Sequence, residues 1–321
     1  MPASVSSSAS TAISGMAKKM NALRGHLDQP PPVVLTYVLL TLALASLWLG
    51  VEPGASPARR YAWVAWYAGA CASALAVGIL EPIGLVWIAA LAVALVAFFR
   101  PAAPRWQRVL AAIAGLTITA GLMAHQLPGF NNPQAITSRR ITPDALPYRL
   151  FLNFDKTSAG LLLLALARPR LLLAHGFGPM LTRAAPVAAG LIGSLLILAL
   201  ASGYVRFDPK FPAEAWVWLW ANLCLTCMAE EAFFRGFIQA QLQRAWRKRP
   251  GGEWLALGAA AVLFGLAHAG GGLTYVILST VAGVGYGWVF LRTGRIEASI
   301  LTHFGLNAVH FVGFTYPALA R

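Results

Sequence analysis

Long apolar runs, separated by short polar or basic breaks, set the pattern of this chain. Runs suited to crossing a lipid bilayer as helices occupy 33–51, 61–80, 83–99 and 107–125. Others follow at 186–204, 213–239, 254–269, 273–291 and 298–316. A spanning helix needs roughly 17–25 apolar residues. A tenth run, 159–174, is interrupted by Arg168-Pro169-Arg170 and reads as a short, re-entrant or interfacial segment. The expected fold is all-α, a polytopic transmembrane helical bundle of about 8–10 membrane helices.

Four regions follow from the same pattern. Residues 1–32 are polar and Ser/Ala-rich, with Lys18, Lys19, Arg24 and three consecutive prolines at the end. They read as a flexible tail with a short interfacial helix around 13–27. No apolar core precedes a cleavage site, so a signal peptide is not expected. Residues 33–125 form an N-terminal four-helix membrane region. Residues 126–185 hold a polar loop and the interrupted run. A loop this long is either a lid or recognition element or a plain connector. Residues 186–317 form a second membrane region.

Composition supports the membrane reading. Hydrophobic residues make up 58% of the chain and charged residues 11%, against about 25% charged in soluble domains. The net charge of +14 fits basic loops facing anionic lipid better than a nucleic-acid surface. Arg244, Arg247, Lys248 and Arg249 mark one loop as cytoplasmic, and Arg183, Arg292 and Arg295 then fall on the same side. The orientation of the N-terminus depends on whether 159–174 spans. Cys71, Cys224 and Cys227 all lie in apolar segments, which is not a disulfide framework. The spacing Cys224-Leu-Thr-Cys227 lacks the strand–helix setting of a redox motif and reads as packing. Trp216, Trp218 and Trp220 read as an interfacial belt. Gly283, Gly285 and Gly287 read as small residues at a helix contact.

Against that apolar background, Glu230, Glu231 and Arg235 stand out. Each charge at the centre of a membrane helix costs about 2.5–3.5 kcal/mol on insertion scales. Three in six residues must pair, face a wet cavity, or do chemistry. Glu231 and Arg235 are four apart and share a helix face. Glu230 points about 100° away, which leaves it free to face a cavity. By themselves these three also fit a buried structural ion-pair network. Two further constellations join them. Phe264-Gly-Leu-Ala-His268 puts a histidine in the next span, and His303-Phe-Gly-Leu-Asn307 puts a histidine and an amide on one face of the last span. A single membrane histidine more often serves a helix–helix hydrogen bond. Together, a carboxylate base, an imidazole and a His/Asn donor pair are parts for activating water and stabilising an oxyanion. His125, His175 and His310 are isolated and read as interfacial or structural, although His310, seven beyond His303, falls on the same side by the helical period.

Depth raises one conflict. At 1.5 Å per residue, Glu230 lies about 26 Å from Arg247 and His268 about 21 Å from Trp254, but His303 lies only about 12 Å from Arg295. Either 292–297 dips into the membrane or the Glu230 helix is not continuous.

The ordered set Glu230-Glu231-x-x-x-Arg235, Phe264-x-x-x-His268 and His303-x-x-x-Asn307 resembles the CPBP intramembrane protease family. That family contains type II CAAX prenyl endopeptidases and bacteriocin-processing or immunity proteins (the Abi proteins). The resemblance covers about 186–316. It implies an intramembrane endopeptidase in which Glu230, helped by His268, deprotonates water that attacks a peptide carbonyl. His303 and Asn307 would then donate to the oxyanion, with Glu231, Arg235 and Phe264 supporting the site. It implies no resident cofactor; the alternative is zinc on Glu230, His268 and His303, although the chain lacks His-Glu-x-x-His. Expected partners are membrane lipid and a peptide or lipidated protein substrate, with no nucleic acid. The expected location is the cytoplasmic membrane of a bacterium. Two rivals remain at this level. One is a non-enzymatic immunity or scaffold protein that keeps the motifs. The other is an ion-coupled transporter using Glu230 and Glu231, against which the first half shows no copy of the Glu-Glu motif.

Overall fold

The computed structural model describes residues 30–49, 54–166 and 176–320. The 13–27 segment, Arg168-Pro169-Arg170 and His175 fall outside the described residues. Within them the chain is an all-α helical bundle with one small hairpin. Helices α1 (Pro31–Leu49) and α2 (Pro57–Ala76) pack together, as do α3 (Pro82–Phe99) and α4 (Arg105–Met123). Local chemistry starts them where the apolar runs begin. Ser56 caps α2 by accepting from the Arg59 amide, and Pro57 and Pro82 occupy first helical positions, where a missing N–H costs nothing.

Among the described residues, five helical stretches are long and apolar enough to cross a membrane: Pro31–Trp48, Pro82–Phe99, Arg105–Met123, Phe177–Ala201 and Leu273–Thr293. The outward faces of this set are themselves apolar. Val93 is 69% exposed, Ile113 58% and Ile197 67%. Surfaces of that kind belong in lipid rather than water, and the chain is an integral membrane protein. The other expected runs are helices too. Gly252–Leu266 is shorter, and Ile296–Gly313 carries Glu297, His303, Asn307 and His310.

Of the run expected as short, re-entrant or interfacial, the described part is a short helix in the core. Helix α5 (Phe154–Leu166) is buried along nearly its whole length and packs against α3, α4 and the helix that bears Glu230. Its own first turn starts in the polar loop, and Gly160 sits where an added Cβ would fall 2.5 Å from Ala229 Cα. Only glycine lets the two backbones approach that closely.

Ahead of α5, strands β1 (Gln134–Arg139) and β2 (Tyr148–Phe151) pair antiparallel, with irregular register. Ile136 and Leu150 face each other on the buried side. The hairpin is tied to the rest of the molecule. Arg139 pairs with Glu214 and Asp144 with Arg206, while Leu146 N–H donates to Ala318 C=O at 2.9 Å.

Helix α6 (Phe177–Ala201) begins earlier than expected and carries Pro186 inside it. Membrane helices accept such a proline where neighbours answer the freed carbonyl. The next element, α7, is one helical run over 215–246 that changes register twice. It passes through π-helical Asn222–Cys227 and Ala232–Gln239, with Met228–Glu231 as a short α-helical piece between them. Helices α8 (Gly252–Leu266), α9 (Leu273–Thr293) and α10 (Ile296–Gly313) complete the bundle. The expected tryptophan belt is corrected here. Trp216 is exposed, but Trp218 is fully buried and stacked on Phe311 at 4.1 Å, and Trp220 donates to Thr41. The glycines of α9 serve close packing as expected, Gly283 against Ala261 and Gly285 against Leu191.

Gly160→Val tests the α5 contact. Overpacking of this kind costs typically about 1–3 kcal/mol. The variant should unfold at a lower temperature than the parent in the same detergent. An unchanged midpoint would mean that the contact between α5 and Ala229 is loose.

Candidate active site

The two glutamates lie in the short α-helical piece of α7, between the two π-helical segments. Widened turns of this type often occur at functional sites, because the extra residue per turn redirects the side chains that follow. This also bears on the depth conflict. The Glu230 helix is not a uniform α-helix, and the first turn of α10 is itself buried, with Glu297 accepting from Trp48 Nε1 at 3.1 Å.

Glu231 turns away from the cavity and has no exposure. Its Oε1 accepts from Arg235 Nη1 at 3.1 Å and lies 2.8 Å from His303 Nδ1. Arg235, also without exposure, sends Nη2 to Gly283 C=O at 2.9 Å. Its guanidinium lies 4.6 Å from the Phe264 ring centre and 5.2 Å from that of Tyr286. Aromatic faces attract a desolvated cation. Arg235 thus joins α7 to α8 and α9, while Glu231 joins α7 to α10.

Glu230 faces the other way, as the helical period requires. Its Oε1 lies 2.5 Å from Lys156 Nζ, and its Oε2 lies 3.8 Å from His303 Nε2. His303 is clamped between Glu231 and a stacked Tyr286 ring at 4.5 Å. His268 sits just past the end of α8, with Nδ1 2.7 Å from Phe264 C=O. A carbonyl only accepts, so Nδ1 carries the hydrogen and Nε2 of the neutral ring presents a lone pair. Asn307 donates to Asn222 Oδ1 at 3.2 Å and is 3.7 Å from Cys227 Sγ. Cys227 is buried, and like Cys71 and Cys224 it is a free thiol.

Glu230, Phe264, His268, His303 and Asn307 all line one cavity of about 1090 Å³. Glu231 and Arg235 stand behind its wall. His310 lines it as well, although its Nε2 is held 3.2 Å from Thr315 C=O. His125 lines it too, paired with Asp155 at 2.7 Å. Lys156, Asn222 and Tyr286 were not singled out from the sequence. Asn222 carried a usable signal, a lone amide in an apolar span. Lys156 carried none, because its helix reads from sequence as the margin of a loop.

Among the described residues no three His, Cys, Asp or Glu side chains gather as a metal-binding group. Glu230 Oε1 is already bonded to an ammonium.

Residues 212–309 match the family model described as type II CAAX prenyl endopeptidase Rce1-like. This region of the chain is similar to the CAAX prenyl proteases. The match contains all seven residues of the motif set and supports CAAX-type protease activity. It leaves out Lys156 and the hairpin. No curated protein and no solved structure matches the chain.

Removing Arg235 leaves the buried Glu231 without its guanidinium partner and with only the bond to His303; breaking a buried ion pair typically costs about 3–5 kcal/mol. Arg235→Ala should therefore insert poorly or unfold well below the parent in a detergent thermal melt. An Arg235→Ala protein with an unchanged melt would show that the pair does not hold the helices together.

Proposed function

We propose that this chain is an intramembrane endopeptidase of a bacterial cytoplasmic membrane, hydrolysing a peptide bond of a membrane-associated substrate with water activated by Glu230. One observation carries the reading. A carboxylate, two imidazoles and an amide brought by three separate helices line one cavity of a size that admits an extended peptide.

The roles follow from the bonds each group already makes. Lys156 takes Glu230 Oε1, so Oε2 is the oxygen left to accept a proton from water. His268, with its hydrogen on Nδ1, presents Nε2 as a second acceptor beside the same cavity. The hydroxide equivalent adds to the peptide carbonyl, the carbon–nitrogen bond breaks, and the proton held on the base side passes to the leaving amine. Asn307 spends one N–H on Asn222 and keeps another for an oxyanion. His303 donates Nδ1–H to Glu231, so it can serve an oxyanion through Nε2 only as the imidazolium. Preorganised donors of this kind are each worth about 100- to 1000-fold in rate. Glu231, Arg235 and Phe264 hold the base and donors in register. In this reading 186–317 is the catalytic core and 33–125 an accessory bundle.

A quenched peptide library in liposomes gives the test, with parent and Glu230→Gln compared with and without chelator. Turnover by the parent, loss in Glu230→Gln and indifference to chelator are expected. Full turnover by Glu230→Gln would end the glutamate assignment. Loss with chelator and recovery with zinc would end the metal-free mechanism. A well-folded parent that cleaves nothing would count for a non-enzymatic protein.

A further inference from the structure

The bond to Glu230 that the motif set does not contain is the shortest one it makes. Lys156 Nζ lies 2.5 Å from Glu230 Oε1, with the lysine side chain 13% exposed and the glutamate 9%. Both line the cavity. We propose that Lys156 is a positioning residue of the hydrolytic site: its ammonium fixes one oxygen of Glu230 so that the other is presented to the cavity. The assignment rests on the reading of Glu230 as the base.

Three observations support it. First, among the described residues Lys156 is the fixed cation bonded to Glu230. Arg235 is bonded to Glu231 and Gly283 instead. The other titratable groups that interact with Glu230 are His268 on the α8 end, His303 on α10, Tyr275 on α9, and Cys227 and Arg235 on its own helix. Without Lys156 no permanent cation is bonded to this buried carboxylate, and a buried charge without a bonded partner is strongly disfavoured.

Second, the ammonium is delivered from a fixed backbone. Asn132 Oδ1 accepts from the Phe154 amide at 2.7 Å, and Asn132 Nδ2 donates to Asp155 Oδ1 at 2.9 Å. His125 holds the other oxygen of Asp155 at 2.7 Å. Thr157 Oγ1 donates to Asn153 C=O at 2.6 Å. A lysine on a flexible loop would lose several rotamers to reach a buried partner. Here the first turn of α5 has been tied down on either side of residue 156.

Third, α5 and α7 are in backbone contact one turn further on, where Gly160 meets Ala229, the residue before Glu230. The spacing between ammonium and carboxylate is thus set by packing rather than by the reach of the side chain. Holding a reactive group within a fraction of an ångström matters, since a 1 Å misplacement can cost about 100-fold in rate.

The test uses the full chain in liposomes and the quenched peptide that the parent turns over. Lys156→Ala should lower kcat about 100-fold with KM near that of the parent, measured well below an unfolding midpoint that itself falls because Glu230 loses its bonded counter-charge. Added ethylammonium should restore kcat in a saturable way, while tetramethylammonium, which has no N–H, and ethanol should not. Where Lys156→Ala does not insert, Lys156→Gln is measured instead, and it too should lose kcat at unchanged KM. Parental kcat in the measured variant overturns the assignment. So does a loss confined to KM or to the unfolding midpoint, or a well-folded Lys156→Ala that ethylammonium does not restore. Glu230→Gln, run alongside, separates the two readings. If it cleaves normally, the base assignment itself has failed. If it is dead while Lys156→Ala is normal, only Lys156 falls.

Discussion

A guanidinium that no solvent reaches must be answered entirely by protein, and Arg235 is placed that way. Its charge is met by Glu231, by a backbone carbonyl of α9, and by the faces of Phe264 and Tyr286. Those partners come from α7, α8 and α9, and Glu231 adds α10 through His303. None of these helices can rotate or slide without leaving a charge or a polar group unpaired in a low-dielectric interior, where the cost is several kcal/mol. The hydrophobic effect does not supply this specificity inside a bilayer, because lipid tails are as apolar as leucine. The buried cation therefore fixes the helical arrangement, and His303 and Phe264 take their places from it.

Two neighbouring glutamates acquire opposite fates from this one constraint. Glu231 is committed to Arg235 and His303 and is closed off. Glu230 follows it around the helix and comes out on the cavity side. The π-helical turns on both sides of the pair set the local face independently of the rest of α7. One end of that helix can then pack Trp218 against Phe311 while its middle meets a polar cavity. A uniform α-helix would have to satisfy both with a single stripe.

The helical period made much of this legible. Glu231 with Arg235, Phe264 with His268 and His303 with Asn307 are each four apart, a spacing that survives into the structure because helices preserve it. The runs of apolar residues gave the bundle for the same reason. Lys156 was hidden because it acts across 74 positions of sequence, and no local period links such partners. Its helix was hidden too. The apolar part of 154–166 is short, starts in a polar loop and runs toward Arg168-Pro169-Arg170, so it read as a short, re-entrant or interfacial segment. Burial came from Gly160 and the Ala229 contact, which composition does not reveal. The tryptophans misled in the opposite direction, since three aromatic residues at alternate positions on a helix face different neighbours, and only Trp216 looks outward.

The division between the matched segment and the rest of the chain has a physical counterpart. Residues 212–309 supply the acidic, imidazole and amide groups. The wall around them also draws on Phe130 ahead of the hairpin, on Tyr148 and Leu150 from the hairpin, on Lys156 from α5, and on Leu195 from α6. The hairpin is held by ion pairs to Glu214 and Arg206 and by backbone bonds to the C-terminal segment, so its position is coupled to the ends of the same helices that carry the polar groups. A substitution in that wall changes the shape and polarity of the space without altering the bonds among Glu231, Arg235 and His303. A substitution among those three changes the bundle itself. The polar groups of the motif set are therefore bound to the fold, while these lining residues lie outside the matched segment.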